Sequence, residues 1–350
     1  MITGASGLIG SRLCAALGED YLVVGLDRDP PADPPEGSHF LVCDLCSDEA
    51  VQGAMQEIRR VHGPSLASVV HLAAYYDFSG EPSPLYHDLT VEGTRRMLDA
   101  LEGFAVGQFV FSSSMLVMRP SVDGTPIDED GPLEAEWAYP RSKVEAEQVI
   151  SAHPSAFPKV VLRIAGVYDD MGHSIPIAQQ IRRIHEKELE SHMFPGNPDH
   201  GQAFIHVEDL CACIHAVVEA RGKLHPHEVF MVGEPQRLSY DELQDRIGSA
   251  LHGRSWTTIR IPAPVAKAGA WLKDKLPFGE DAFIKPWMID LADADYPVAI
   301  TKAERVLSWR PGHSLRRDID TILAKLVEDP EAWYEANGLP TPDGVRHGGP

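Results

Sequence analysis

Three glycines set three residues apart, in Gly4-Ala5-Ser6-Gly7-Leu8-Ile9-Gly10, constrain this chain more than any other stretch. Each spacing has a steric purpose. Gly4 permits a tight turn out of a strand. Gly7 lets backbone N–H groups approach a pyrophosphate, and Gly10 lets the next helix pack closely on a sheet. A helix pattern over Leu8–Leu17 and an apolar run over Tyr21–Leu26 come next, ending in Asp27, which lies 23 residues beyond Gly4. That is close to the spacing of about 20 at which an acid meets the ribose of a dinucleotide. Such a carboxylate accepts both ribose hydroxyls of NAD and repels the 2′-phosphate of NADP. The neighbouring Arg28 is of the type that accommodates that phosphate. The balance favours NAD.

The same rhythm continues through the first half. Further strand candidates are Phe40–Cys43, Ser68–Leu72, Phe109–Ser112 and Val160–Ile164, continuous apolar runs of the kind buried on both faces. Helix candidates are Asp48–Val61, Thr90–Leu101 and Arg141–Ser151. The alternation predicts an α/β fold with a doubly wound parallel sheet. Only Met1 and Ile2 precede Thr3-Gly4, so the first strand is a stub or the chain begins upstream. After Val167 the pattern changes to loops rich in Gly, Pro and His. Here stand a helix over Ile177–Glu188, a strand-like Glu228–Val232 and helices over Tyr240–Leu251 and Pro262–Lys275. These define a smaller substrate domain, 168–202 and 221–338, interleaved with a cofactor domain of 1–167 to which 203–220 returns. The polar tail 339–350 is expected to be disordered.

A formal net charge of −21 disfavours nucleic acid and anionic lipid as partners. Five cysteines, an odd number without a leader pattern, fit reduced thiols in a cytoplasmic setting. Cys43-x-x-Cys46 has no second pair to complete a metal site, so no metal is expected. The apolar stretch Ile261–Leu272 holds Lys267 and two prolines and is too short to span a membrane.

Tyr139-Pro140-Arg141-Ser142-Lys143 places a phenol and an ammonium one helical turn apart. Lys143 is expected to lower the Tyr139 pKa by stabilising phenolate. Tyr139 then exchanges a proton with a substrate hydroxyl or carbonyl. Ser114, just past a strand, holds the same oxygen. The bland alternative, a surface helix pair, loses ground because the set follows the glycine turn and Asp27 in order.

These segments resemble the extended short-chain dehydrogenase/reductases, the NAD-dependent epimerase/dehydratase family, over roughly residues 1 to 320. Thr3–Gly10, Cys43-Asp44-Leu45, His71-Leu72-Ala73-Ala74, Phe111–Ser114, Tyr139–Lys143, Leu162–Tyr168, Phe204–Leu210 and Thr301–Pro311 carry the likeness. The resemblance implies a Rossmann-type fold and NAD contacts at Gly4, Ser6, Gly7, Leu8, Ile9, Gly10, Asp27, Arg28, Asp44, Leu45, Leu72, Ala73, Ala74, Ser112, Tyr139, Lys143 and Ile164. Catalysis falls to Ser114, Tyr139 and Lys143. Tyr75, Tyr76, Met115 and Trp137 are substrate-side candidates. A homodimer through a helix bundle is implied.

The departures from the family pattern bear on substrate. Thr90 stands where nucleotide-sugar epimerases carry Asn. Ala165 and Gly166 replace a second Asn, and Gln202 replaces the Arg that binds sugar-nucleotide phosphate. Without that cation a diphosphate loses a charge-assisted contact. Met115 and Leu116 follow Ser114 in place of a dehydratase acid–base pair. The main reading is hydride transfer between nicotinamide and a secondary alcohol or carbonyl of a small substrate. A nucleotide-sugar epimerase acting through a transient ketone is the alternative, and a non-catalytic NAD-binding scaffold the third.

Overall fold

A computed structural model describes residues 1–35, 37–77, 81–261 and 292–342 of the chain. The expected helix Pro262–Lys275 and the tail beyond 342 lie outside the described residues. The central strands are β1 (Ile2–Thr3), β2 (Val23–Asp27), β3 (Ser38–Val42), β4 (Val69–His71), β5 (Phe109–Ser114) and β6 (Lys159–Ile164). A short β7 (Gly166–Tyr168) and β8 (Phe204–His206) pair with each other, and β9 (His227–Val232) follows. The seven-stranded sheet runs β9-β6-β5-β4-β1-β2-β3 with every neighbour parallel. The chain winds outward from β1 to β3, then returns to lay β4 against β1. That reversal opens a crevice at the strand ends, where α/β folds bind ligands.

β1 is a stub of two residues, yet it is tied on both sides. Ile2 lies opposite Gly25 and Val70, and the Met1 carbonyl accepts from Val70 N at 2.8 Å. The strand read as Glu228–Val232 extends the central sheet beside β6 and does not lie apart from it. Its Phe230, Met231 and Val232 are buried in the same core as β6.

Helix α1 (Leu8–Gly18) buries Leu13, Cys14 and Leu17 against Leu210, Ile214 and Val217 of α6 (Val207–Glu219) on one face of the sheet. On the other face lie α2 (Asp48–His62), α3 (Glu92–Ala100) and α4 (Ala138–Ala152). α2 shows how the sequence sets an element. Ser47 caps it by accepting from Ala50 N, Asp48 and Glu49 fill its first turn, and Arg59, Arg60 and His62 fill its last. Its buried Val51, Met55 and Ile58 form one apolar stripe.

α3 has an irregular start. The expected helix from Thr90 begins earlier, as a π-helical turn over Tyr86–Val91. Within it, buried Thr90 uses its hydroxyl to accept from Tyr75 N at 3.0 Å. A third core joins α5 (Ile175–His185), α7 (Tyr240–His252), a helix over Leu315–Glu328 and a last one over Pro330–Ala336. Leu339, read as part of the tail, packs on this core and donates its N–H to the Tyr334 carbonyl.

Candidate active site

At the β1–β4 crevice the glycine turn is as tight as its spacing predicts. Gly4 has φ +68, and a Cβ there would stand 2.9 Å from Ala73 N at the end of β4. A Cβ on Gly10 would stand 2.1 Å from the Gly4 carbonyl oxygen. Ser6 N donates to Asp27 Oδ2 at 2.9 Å, which ties the loop to the end of β2. The Ser6 hydroxyl is buried with no hydrogen-bond partner among the described residues. A glycine cradle at a helix N-terminus with an unsatisfied hydroxyl is what a diphosphate completes. The loop therefore fits the pyrophosphate of NAD.

Arg28 is exposed and paired with Asp29 at 3.0 Å. Asp44 turns its carboxylate to Cys46 N at 2.9 Å, and buried Leu45 packs at Gly93, past the end of β3.

One cleft of about 420 Å³ joins this loop to the other expected residues. Gly4, Gly7, Leu8, Ile9, Gly10, Leu72, Ala74, Ser112, Ser114, Met115, Tyr139, Lys143 and Ile164 all line it. Arg28, Asp27, Asp44, Leu45, Ser6 and Ala73 stand outside its lining. Ser114 belongs to β5, opposite Ile164, and does not follow the strand. All six residues of β5 are buried, so its three serines remain in the ladder despite their polarity. Ser113 lines the cleft as well, and its hydroxyl donates to Glu147, which forms a buried ion pair with Arg163 at 2.9 Å.

Tyr139 is in the first turn of α4 and Lys143 one turn on. Lys143 Nζ donates to the Ser112 carbonyl at 2.6 Å and lies 5.8 Å from the Tyr139 ring centre. Burial pushes the Tyr139 phenol up to about 12, although its hydrogen bond with Ser114 pulls the other way. Burial also pushes Lys143 down to about 7, against the pull of Glu147. This corrects the expectation that Lys143 lowers the phenol. Removal from water is the largest cause for both groups.

Behind the cleft a hydrogen-bond chain fixes the end of β4. Thr94 donates to the Thr90 carbonyl at 2.6 Å, so its oxygen accepts from His71 Nε2 at 3.1 Å. His71 Nδ1 then accepts from Thr3 at 2.8 Å, and Thr3 accepts from Ala73 N at 3.3 Å. His71 is thus a neutral imidazole. Burial first, then the Lys143 charge, push its pKa down to about 3.

The two tyrosines after β4 part company. Tyr76 lines the cleft and meets Tyr139 edge-on, with ring centres 4.9 Å apart. Tyr75 turns back onto Tyr86 at 4.8 Å and does not line it. Met115 is a buried wall residue. Trp137 stands 5.5 Å from Tyr139 and lines an adjoining hollow that shares Leu116 with the cleft.

The structure adds wall residues that were not among the expected contacts: Leu116, Val167, His173, Ser174, Ile175, Pro176 and Phe204. His173 follows Asp169 by four residues. That spacing was the available signal in a loop otherwise read only by composition.

His206, Glu208 and His313 bring ligand atoms within 4.8 Å of one another. However, His206 Nδ1 accepts from Glu208 N at 3.3 Å, so in the neutral ring Nε2 carries the proton. A donor there faces Asp170, and the two imidazoles stack with centres 4.0 Å apart. This is the geometry of a packed histidine pair among carboxylates.

A glycine cradle for a dinucleotide and a buried phenol–ammonium pair, set at the switch point of one parallel sheet, define a nicotinamide-dependent enzyme of the α/β class. Residues 1–233 match the model of the NAD dependent epimerase/dehydratase family. The chain belongs to that family, the extended short-chain dehydrogenase/reductases, and its cofactor is NAD. It is 26% identical to 3 beta-hydroxysteroid dehydrogenase type 7 of Mus musculus, over 75% of this chain and 77% of that one. It is 24% identical to UDP-glucose 4-epimerase of Streptomyces lividans, over 71% of this chain and 79% of that one. Its fold is similar to MoeE5 in complex with UDP-glucose and NAD, at TM-score 0.69 and 21% identity, covering 94% of this chain and 99% of that one. No helix among the described residues is long and apolar enough to cross a membrane.

Proposed function

We propose that the chain interconverts a secondary alcohol and its ketone on an apolar small molecule, with Tyr139 as the proton-transfer group. The observation that carries this reading is the convergence of Ser114, Tyr139 and Lys143 on the one cleft that the glycine turn also lines. NAD, when bound, takes or returns the hydride. Gly4, Gly7 and Gly10, with the Ser6 hydroxyl, hold its diphosphate, and Asp27 is the ribose acceptor. The substrate oxygen accepts from Ser114 and exchanges its proton with Tyr139 Oη. Lys143, anchored on the Ser112 carbonyl, sets the charge beside the phenol. Because the buried phenol is pushed up to about 12, alcohol oxidation quickens as pH rises from neutral. A flat profile over that range counts against Tyr139 as the base.

The far wall supports the choice of substrate. Met115, Leu116, Val167, Ile175, Pro176 and Phe204 are apolar, and Gln202 lines the wall where the family's sugar-nucleotide enzymes bring an arginine. A steroid-like alcohol, the class named for the mouse relative, suits such walls. A nucleotide-sugar epimerase remains the second reading, favoured by the streptomycete relative. The test is NADH formation with a panel of 3β-hydroxysteroids and cyclohexanols, beside calorimetric titration with UDP- and GDP-sugars. Turnover of an alcohol with no sugar-nucleotide binding supports the first reading; the reverse supports the second. In Tyr139→Phe the rate falls by about 10²–10⁴ while NAD affinity holds. Retained activity removes Tyr139 from the chemistry.

The same reading divides the chain into a cofactor unit, 1–167 with 203–220 and the sheet strand β9, and a substrate unit, 168–202 with the rest of 221–338. It also makes the protein a cytoplasmic homodimer, which sedimentation velocity tests.

A further inference from the structure

The loop after β7 carries a histidine whose placement nothing in the proposed chemistry uses. His173 lines the cleft beside Ser174, Ile175 and Pro176. Its backbone has φ +42, a region that side chains other than glycine rarely adopt. Such a conformation persists only where its surroundings hold it, and it gathers at ligand sites. Here it is held from both sides. His173 N donates to Asn337 Oδ1 at 3.0 Å, and Asn337 Nδ2 donates to the Met171 carbonyl at 2.9 Å. Asp169 and Gly172 close the loop with backbone hydrogen bonds of 3.1 and 2.8 Å.

The side chain is held as firmly. His173 Nδ1 lies 2.7 Å from Asp169 Oδ2 and 2.8 Å from Oδ1. Asp169 is 4% exposed and is itself bound by Met171 N at 3.0 Å and by the Arg12 guanidinium. Arg12 is on α1, the helix that carries the glycine turn. In the neutral ring a carboxylate on Nδ1 puts the proton there and leaves Nε2 as an acceptor. That nitrogen makes no hydrogen bond among the described residues, although the side chain is only partly exposed and the residue lines the cleft.

We propose that His173, aligned by Asp169 and Arg12, is a substrate-gripping residue that accepts a hydrogen bond from a second hydroxyl of the substrate, away from the carbon that Tyr139 serves. The substrate class is therefore a diol on an apolar frame. This deepens the dehydrogenase reading and rests on it.

The test compares each mono-ol with the diols formed by one added hydroxyl: 3β-hydroxysteroids hydroxylated on ring B, C or D, and cyclohexanol with the cyclohexanediols. His173→Asn is the variant, since asparagine tolerates the positive φ. For wild type, at least one diol should show a KM about tenfold below its mono-ol, the worth of one well-placed hydrogen bond. In His173→Asn the diol KM rises to that of its mono-ol, with NAD affinity reporting that the cofactor site is still formed. Equal KM values for mono-ols and diols in wild type, or a diol preference that survives in His173→Asn, overturn the proposal and leave the dehydrogenase reading standing. No turnover of any mono-ol or diol by wild type defeats the dehydrogenase reading and this inference with it.

Discussion

Replacing Gly10 by alanine puts a methyl carbon 2.1 Å from the Gly4 carbonyl oxygen and 2.8 Å from Ala5 Cα, both backbone atoms that cannot swing aside. Contacts of a real Cβ hold off at 3.0 Å, so the turn must open by about 0.9 Å. Overpacking of this kind costs about 1–3 kcal/mol in a well-packed core. The displaced atoms are those that shape the diphosphate cradle, so NAD affinity falls with stability, by at least about tenfold for the loss of one charge-assisted hydrogen bond. Two other alanines calibrate the argument. At Gly7 the nearest contact would be 3.5 Å, with φ −70, so the fold bears the methyl. At Gly53, inside α2, nothing lies within 4 Å, and alanine should stabilise by about 0.5–1 kcal/mol through helix propensity. The assay is a urea melt of each variant beside an NAD titration followed by fluorescence. If Gly10→Ala melts and binds NAD like wild type, close approach of backbone is not what this glycine supplies.

Glu147→Gln leaves Arg163 as a buried charge without its partner and should cost about 3–5 kcal/mol in a urea melt at neutral pH; a loss under about 1 kcal/mol refutes the pair's importance. Glu234 is pushed up to about 7 by burial, while Leu315 N–H and Tyr168 pull it down. A carboxyl raised above its ordinary 4.5 takes up a proton on folding. Its contribution is whole below that value and is lost as pH rises through about 7, amounting to at most about 3 kcal/mol. Glu234→Gln should therefore flatten the fall in melting temperature between pH 5 and 7 relative to wild type; superimposable curves would remove Glu234 as the cause.

Much of this protein was legible along the chain because the relevant physics is local. The glycine turn needs only three positions without a side chain, and Tyr139 and Lys143 meet because a helix brings residues four apart onto one face. The continuous apolar runs announced a sheet covered on both sides. Strand ends were less legible, since Ser113 and Ser114 stay in β5 only because β6 pairs with them.

What the sequence by itself determined is the order of elements, the parallel winding and the neighbours of the phenol. Tertiary structure alone decided which of Tyr75 and Tyr76 meets the cleft, that burial raises the phenol of Tyr139 even with Lys143 nearby, and that Arg12, Asp169, His173 and Asn337 act as one assembly. Periodicity reports which face of an element is apolar. It carries no record of desolvation, or of contacts between residues 157 or 164 positions apart, as Arg12 is from Asp169 and His173 from Asn337. Those exist only once the layers have closed on one another.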